Sequence, residues 1–186
     1  MIRIVEHDVD WANRFMEIGA RIEPWLAGVD CRIEHVGSTS VPGLAAKPII
    51  DVSLLCDDRN QVRQVVGLLV SNGYEHLGDL GVPGREAFQS RSGGPTSTLC
   101  GLARHNLYAG WAELPAFRNH LAFRDALRAD ADLAKRYGDL KRALAGRVGS
   151  DRERYTAEKT DFIIGVLRGT GRFDEESLRE IRYANI

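Results

Sequence analysis

The stretch that decides the fold is Glu34–Asp51, EHVGSTSVPGLAAKPIID, in which a loop of Gly, Ser, Thr and Pro joins two strand-like segments. The first segment, Cys31–Val36, alternates apolar and polar residues, as a half-buried strand does. The second, residues 48–56, is rich in β-branched side chains and predicts a central strand. Residues 37–48 between them are expected to form a loop with unusual backbone demands.

The loop carries residue types that suit a phosphate ligand. Gly37 leaves the first strand and lets the backbone approach a ligand without a Cβ in the way. Ser38, Thr39 and Ser40 offer hydroxyl groups and backbone N–H groups, which suit phosphate oxygens. Lys47 adds a positive charge nearby. The pattern therefore predicts a site for a phosphate-containing compound at this loop.

Asp51 lies on the strand that follows the loop, where a carboxylate can hold Mg²⁺. The segment is not a Walker loop, because Pro42 stands where that motif requires its second glycine. A second interpretation of the same residues is a tight, hydroxyl-rich loop that satisfies its own backbone and fixes the strand order. Spacing alone leaves both interpretations open.

The rest of the chain predicts an α+β fold. Helices are expected over residues 9–27, 59–71, 116–129 and 131–148, and after a capping box at Ser150–Glu153. Short strands are expected near 84–90 and 97–109. We predict a small mixed-sheet α/β core over residues 1–112, a helical section over 113–168 packed on that core, and a C-terminal tail with one short helix over 169–186.

Composition narrows the functional classes. The 186 residues carry a formal net charge of -1, which argues against a strongly basic nucleic-acid binder. The chain is 44% hydrophobic and 27% charged, as expected of a globular protein and not of a disordered one. No apolar stretch approaches a membrane span, no signal peptide is recognisable, and three scattered cysteines do not suggest a disulfide framework. We expect a cytoplasmic protein without a membrane partner.

The motif Glu34–Asp51 closely resembles the hallmark of the GrpB family, which is related to a domain attached to some dephospho-CoA kinases. The resemblance extends to about residue 168. It includes further matching positions at Trp11, Phe15, Gly73–Tyr74, Arg85–Phe88, Leu121–Arg128, Tyr137, Leu140–Lys141, Tyr155, Lys159 and Phe162–Ile163.

This resemblance implies a fold of the polymerase-β-like nucleotidyltransferase superfamily. In that superfamily a Gly-Ser loop holds the triphosphate of ATP or another NTP, and carboxylates on two strands hold two Mg²⁺ ions. Gly37–Ser38 matches the loop and Asp51 matches the first carboxylate. The second carboxylate is replaced by Ser53, and residues 97–109 contain no acid for the third. The resemblance therefore supports the fold and leaves catalysis by two metal ions in question.

Other residues are candidates for the same site. His35 directly precedes the loop, and His105 is expected to face the same cavity as Asp51; either could act as an acid or a base. Arg85 and Arg91 could meet a phosphate or a carboxylate. The alternative for the histidines is a structural role, and for the arginines a solvated one. Two further cations are expected on solvated helix faces, Lys141 and Lys159.

These residues support competing hypotheses of function. One is a nucleotidyltransferase-like enzyme that uses an NTP with one Mg²⁺ at Asp51. A second is a catalytically degenerate module that binds a nucleotide or another phosphate compound at the Gly37–Ser38 loop. A third is a metal-independent enzyme that uses His35 or His105, and a fourth is a docking role for the C-terminal helices. In each ligand-binding case the expected partner is a small molecule, and the oligomeric state stays open.

Overall fold

The computed structural model describes residues 2–90, 99–148 and 151–183. The helices are α1 Trp11–Ile22, α2 Arg59–Ser71, α3 Pro115–Ala129, α4 Ala131–Val148, α5 Arg152–Gly169 and α6 Glu175–Tyr183. The strands are β1 Cys31–Val36, β2 Ile50–Cys56, β3 Tyr74–His76, β4 Glu86–Ser90 and β5 His105–Trp111. Short 3-10 turns lie at Glu23–Leu26 and Ser38–Ser40.

The five strands form one mixed sheet in the order β1-β2-β5-β4-β3. The central pair β2 and β5 is parallel, and the other pairs are antiparallel. The loop after β1 therefore returns the chain directly into β2, as the Gly- and Pro-rich sequence predicts. The mixed sheet and the helices confirm the predicted α+β fold class.

Side-chain alternation gives the sheet two different faces. On one face, here called the core face, lie Val52 and Leu54 of β2 and Leu107 of β5. On the other, here called the site face, Asp51 of β2 lies beside its register partner Asn106 of β5. Alternate residues of the same strands therefore face two different environments, the core and the space around Asp51.

The core face is covered by α1 and α2. Trp11, Ile18 and Ile22 of α1 are fully or nearly fully buried in the main apolar cluster, together with Val65 and Leu69 of α2. The helical spacing of these residues places them on one stripe of each helix. Burial of each such side chain contributes about 1.5–3 kcal/mol to stability.

The site face is covered by the C-terminal helices. Val41 and Leu44 of the loop pack against Leu127 of α3 and Tyr137 of α4. The helix predicted in the C-terminal tail is α6, and it packs rather than extending away: Leu178 and Ile181 join the apolar cluster of α3 and α5. The helices therefore close over Asp51 and create the space in which a site can form.

The predicted elements agree with the structure in most places. The helix predicted over 59–71 is α2, and the helix predicted over 9–27 is shorter, because its last turn becomes the 3-10 segment Glu23–Leu26. Strand β3 was not predicted. The cap of α5 is Asp151, whose carboxylate accepts the Arg154 N–H at 2.9 Å. Ser150, part of the predicted capping box, lies outside the described residues.

The predicted boundary between the core and the helical section, at residues 112 and 113, falls in the link between Trp111 and Pro115. The division into these parts stays a prediction. Among residues 2–90, 99–148 and 151–183, no helix combines the length and apolar character required to cross a membrane.

Candidate functional site

Asp51 lies at the start of β2, directly beneath the turn that ends β1. Gly37 has φ +70°, and a Cβ at this residue would lie 2.2 Å from Oδ2 of Asp51. Glycine is therefore required here for two reasons, the backbone conformation and the space that the carboxylate occupies. The group that approaches Gly37 closely is thus a carboxylate of the protein, where the sequence had suggested a ligand.

The carboxylate of Asp51 is hydrogen-bonded to a residue of the neighbouring strand β5. The side-chain amide of Asn106 donates a hydrogen bond of 2.7 Å to Oδ1 of Asp51. Burial raises the pKa of the Asp51 carboxyl, and the Asn106 hydrogen bond together with the charges of three lysines opposes that shift. Asn106 and these lysines therefore stabilise the ionised carboxylate.

The three lysines come from three different parts of the chain. They are Lys47 of the loop, Lys141 of α4 and Lys159 of α5, and all three line one cavity of about 120 Å³ together with Ser38 and Asp51. A second cavity, of about 190 Å³, shares Ser38, Asp51 and Lys159 with the first. We refer to these two spaces as the lysine site.

The lysines are held by the aromatic rings and carbonyls around them. Nζ of Lys47 and Nζ of Lys159 lie 4.4 and 4.8 Å from the centroid of the Tyr155 ring, within the range of cation–π attraction. Nζ of Lys141 donates a 2.5 Å hydrogen bond to the carbonyl of Ala45. Three positive charges thus surround one carboxylate in a partly dry space.

Crowding of these charges lowers the affinity of the lysines for protons. Burial, with the neighbouring charges of Lys159 and Arg142, lowers the pKa of Lys141 to about 7. Burial and the charge of Lys47 lower the pKa of Lys159 to about 8. Lys141 therefore loses its proton around neutral pH and Lys159 somewhat above it, and a bound anion would stabilise the charged forms of both.

The second and third hydroxyls of the loop serve the loop itself. Oγ1 of Thr39 lies 3.1 Å from Nε2 of His35 and donates to the Ile49 carbonyl at 3.4 Å. Oγ of Ser40 donates to the Gly37 carbonyl at 2.6 Å. Thr39 still lines the smaller cavity of the lysine site together with Ser38, so the expectation that these hydroxyl residues face the ligand is wrong for Ser40, which lines neither cavity.

Helix α3 fixes the loop from above. Nε and Nη2 of Arg128 both donate to the Ser40 carbonyl, at 2.9 and 2.8 Å. Nη1 of Arg124 donates to Glu34 at 2.8 Å and to the carbonyl of His35 at 3.0 Å. These contacts attach the helical section to the end of β1, and hence position the loop.

Neither candidate histidine reaches Asp51. His35 lies on the core face, stacked on Phe15 with 4.6 Å between ring centroids, and burial lowers its pKa to about 4. His105 is the register partner of Ile50, so it also lies on the core face, where Nε2 is 2.6 Å from the Tyr74 hydroxyl. Burial lowers the pKa of His105. The expectation that His105 shares a cavity with Asp51 is wrong, because the register shifts it by one residue onto the opposite face.

Arg85 lines a different cavity, next to the lysine site. Its guanidinium carbon lies 4.7 Å from the centroid of the Tyr108 ring, on the site face. This cavity does not include Asp51. Arg91, the other candidate arginine, lies outside the described residues.

The residues around Asp51 do not fit a pair of divalent ions. Ser53 stands at the second acid position, 1% exposed, and Asn106 occupies the neighbouring strand position opposite Asp51. Glu34, the register partner of Ser53, is paired with Arg124. Within the described ranges no group of three or more His, Cys, Asp or Glu residues could hold a metal ion. The site therefore does not fit catalysis by two metal ions.

A more voluminous space of about 840 Å³ lies on the other side of the loop, lined by Pro42, Leu44 and Arg128 among others. Its walls do not include Asp51, Lys47, Lys141 or Lys159. The volume of a cavity alone therefore does not identify the place where the charged side chains meet.

Sequence reasoning missed the most informative members of the site. Lys141 is only 3% exposed and Lys159 lines both cavities, so the expectation of solvated helix faces is wrong for both. Helical spacing contained a signal, because Lys141 follows Tyr137 by four residues and Lys159 follows Tyr155 by four. Composition contained a second signal: the chain has four lysines against 21 arginines, and three of the four lysines meet at Asp51.

Comparison with known proteins agrees with this architecture. The family model described as "GrpB protein" matches residues 1–168. The protein SCO7215 of Streptomyces coelicolor is 34% identical over 176 residues, which cover 91% of this chain and 84% of that protein. The protein YqkA of Bacillus subtilis is 34% identical over 162 residues, 87% of this chain, but this chain spans only 45% of its length.

A more distant relative is the dephospho-CoA kinase of Mycolicibacterium paratuberculosis, 27% identical over 183 residues, which cover 85% of this chain and 43% of that protein. The predicted relationship to such kinases is therefore confirmed.

Solved structures show the same fold. The GrpB protein of Enterococcus faecalis superposes with a TM-score of 0.73 at 29% identity, over 96% of this chain and 98% of that one. The Cid1 poly(U) polymerase, solved with Mg 3'-dATP bound, superposes with a TM-score of 0.55 at 17% identity, over 84% of this chain and 50% of that one. The second likeness shows a nucleotidyltransferase-like fold and nothing about activity. On the family match and these relatives together, the chain belongs to the GrpB family.

Proposed function

We propose that this protein binds a phosphate-containing small molecule, foremost a nucleotide, at the lysine site. In this proposal the lysines neutralise the charge of the phosphate, as divalent ions do in other proteins of this fold. The observation that carries the proposal is the convergence of Lys47, Lys141 and Lys159 on a cavity that also contains Ser38 and Asp51. A cluster of lysines is best suited to bind a phosphate group, whose negative charge it neutralises.

The charges favour an anion. Three ammonium groups and one carboxylate leave an excess of positive charge when all are ionised, and burial makes this excess costly. A phosphate would offset the mutual repulsion of the lysines and accept their hydrogen bonds. Because charge-assisted hydrogen bonds contribute about 1.5–3 kcal/mol each, two or three of them can hold a phosphate firmly.

The larger of the two cavities offers space for more than a phosphate. Phe123, Tyr137 and Ile163 line it beside Lys159, so the site joins a charged end to an apolar wall. This combination suits a nucleotide, whose phosphate is charged and whose base is flat and weakly polar. The nucleotidyltransferase-like fold supports the same ligand class.

A second candidate function is nucleotidyl transfer from an NTP with one Mg²⁺ at Asp51. The observation that favours it is the carboxylate of Asp51, which lines both cavities and has only Asn106 as a fixed hydrogen-bond partner among the described residues. This alternative requires divalent metal for tight binding, whereas the lysine proposal does not.

The partner in both cases is a small molecule. The near-neutral net charge of the chain does not favour nucleic acid as a ligand. We place the protein in the cytoplasm as part of the proposal, because its nucleotide-like ligand would be found there.

Calorimetric titration tests the proposal. ATP, UTP, pyrophosphate and inorganic phosphate are titrated into the protein in EDTA and again in Mg²⁺. We expect binding of at least one phosphate ligand in EDTA, and a loss of roughly tenfold to a hundredfold in affinity for Lys159→Met.

The matched control is Lys135→Met. Lys135 is the fourth lysine of the chain, 75% exposed on α4 and paired with Asp139, and its loss should leave binding within about twofold. Binding that appears only with Mg²⁺ and is lost in Asp51→Asn would favour the single-ion alternative. No binding of any of the four ligands in EDTA would overturn the proposal.

A further inference from the structure

A cavity of about 420 Å³ lies beside the lysine site, between α3, α6 and the segment that precedes β4. Its walls are mainly apolar and come from Val82, Pro83, Leu114 and Ile181. A volume of this size accommodates a small organic molecule.

Two buried polar atoms in this cavity lining make no hydrogen bond within the described part of the chain. They are Nε of Arg85 and Nδ1 of His120. An unsatisfied buried polar atom costs about 1–3 kcal/mol, and native proteins contain few of them. Two such atoms in one cavity wall leave hydrogen-bonding capacity that a ligand would satisfy once the side chains of Arg85 and His120 turn toward the cavity.

The guanidinium of Arg85 is held in place by its surroundings. Nη2 donates to the carbonyl of Asp79 at 3.2 Å, and the group lies over the ring of Tyr108. No carboxylate pairs with it among the described residues, since its one hydrogen-bond acceptor there is a neutral carbonyl. A fixed guanidinium without an anionic partner is suited to bind a carboxylate.

The ring of His120 supports the same assignment. Burial and the charge of Arg85 lower its pKa to about 4, so the imidazole is neutral at neutral pH. A neutral imidazole adds a hydrogen-bond partner without a second positive charge. The ligand therefore needs one anionic group and no more.

We propose that this cavity binds a second small molecule, one that carries a single carboxylate on an apolar body, with the carboxylate at Arg85 and His120 and the body against Val82, Leu114 and Ile181. Glu180 is exposed at the cavity edge and disfavours a ligand with further negative charge.

The cavity adjoins the lysine site. Asn119 and His120 line both the 420 Å³ cavity and the 190 Å³ cavity that contains Asp51. A carboxylate ligand and a phosphate ligand would thus be neighbours across these two side chains, and their binding would be coupled. This coupling rests on the proposed function, whereas the binding of a carboxylate does not.

The test uses phenylacetate and hexanoate, each paired with its neutral primary amide, and measures binding by NMR and calorimetry in buffer without phosphate. We expect each carboxylate to bind at least about tenfold more tightly than its amide, because the amide cannot form the charged pair with Arg85. Arg85→Met should abolish this difference. Arg63→Met, which removes an exposed arginine of α2, is the matched control and should leave it unchanged.

Three results would overturn the proposal. They are equal binding of carboxylate and amide, full binding by Arg85→Met, and no binding of either carboxylate at 20 mM, which is about the weakest range such ligands occupy. If Arg85→Met fails to fold, Ala116→Phe fills the cavity from α3 and should prevent binding; full binding by that variant would also overturn it. Lys159→Met keeps carboxylate binding while it loses phosphate. If the unaltered protein binds the carboxylates but none of the phosphate ligands in EDTA, the proposed function fails and the carboxylate site stands.

Discussion

The two faces of the sheet are built from alternate residues of the same strands, yet their buried polar groups differ in kind. On the core face, the polar side chains His35 and His105 have protein partners, Thr39 and Tyr74. On the site face, Ser53 and His120 of the covering helix have buried polar atoms without a partner among the described residues. The core face also leaves one such atom, Nε1 of Trp11, but the site face combines unpartnered atoms with the charged groups around Asp51.

The two faces therefore separate the residues that stabilise the fold from the residues of the proposed site. Val52 and Leu54 exclude water on one side of β2, while on the other side the buried Asp51 lies within the influence of the charges of Lys47, Lys141 and Lys159. Buried, crowded charge lowers stability, and a protein retains it where binding requires it. Removing an apolar side chain from the core face should therefore lower stability, whereas removing a cation from the site face should raise it.

The largest effect is expected on the core face. Leu54→Ala should lower the free energy of unfolding by about 3.5 kcal/mol, because it leaves a cavity in the main apolar cluster. Chemical denaturation measures the change. Calorimetry on the remaining folded protein should find phosphate affinity unaltered; a loss of affinity as large as the loss of stability would remove the distinction between the faces.

The next effect follows from restoring an acid on the site face. Ser53→Asp should lower the free energy of unfolding in EDTA by about 3 kcal/mol, since it buries a second carboxylate near Asp51. Ser53→Ala, which loses only an unpartnered hydroxyl, is the control and should be nearly neutral. A fully stable Ser53→Asp protein in EDTA would mean that the site face tolerates negative charge, against expectation.

The fold could be predicted from local patterns because they are strong here. The apolar stripe of α2 follows from the spacing of a few neighbouring residues, and the positive φ of Gly37 belongs to the turn that ends β1. Strand β3 could not be predicted, because three residues carry too little periodicity. The capping residue Asp151 was one of two acceptors in the predicted box and required coordinates to identify.

The site was only partly predictable, because it depends on register between distant segments. Asp51 and Ser53 must share a face, but the sequence does not state whether His105 or Asn106 lies beside Asp51. One residue of register exchanges the two. Likewise, the polar role of Lys141 and Lys159 depends on what the helices pack against, which their sequence alone leaves open.

A third effect distinguishes the lysines from structural residues. Lys159→Met should raise the free energy of unfolding of the ligand-free protein by about 1 kcal/mol at pH 7, because it removes a buried cation beside two others. Thermal unfolding measures the gain, with Lys135→Met as the control. A marked loss of stability in Lys159→Met would indicate that this lysine supports the fold rather than a ligand.

A further effect is a dependence on pH. The folded pKa values of Lys141 and Lys159, about 7 and about 8, lie below the ordinary lysine value of about 10.4. Between these limits the unfolded chain binds more protons, so the stability of the ligand-free protein should rise with pH from about 7 to 10. Denaturation at several pH values measures the slope, which should be shallower in Lys159→Met; an identical slope would contradict the assigned pKa shift.

Phosphate affinity should change in the opposite direction over the same range. As Lys141 and Lys159 lose their protons, the attraction for a phosphate weakens, and binding of pyrophosphate in EDTA should fall steadily above pH 7. Calorimetry at pH 7, 8 and 9 measures the decline. Affinity that is constant or rises across this range would contradict a role for these two ammonium groups.

The most direct measurement is the titration of the lysine side chains by NMR. The chain has only four lysines, so ¹³Cε signals can be assigned with single variants. We predict that two signals titrate near pH 7 and 8 in the free protein and that pyrophosphate in EDTA raises both pKa values by about 1 or more. Two results would contradict a phosphate site built from lysines. One is that no signal titrates below the ordinary lysine value of about 10.4, and the other is that pyrophosphate leaves the two lowered pKa values unchanged.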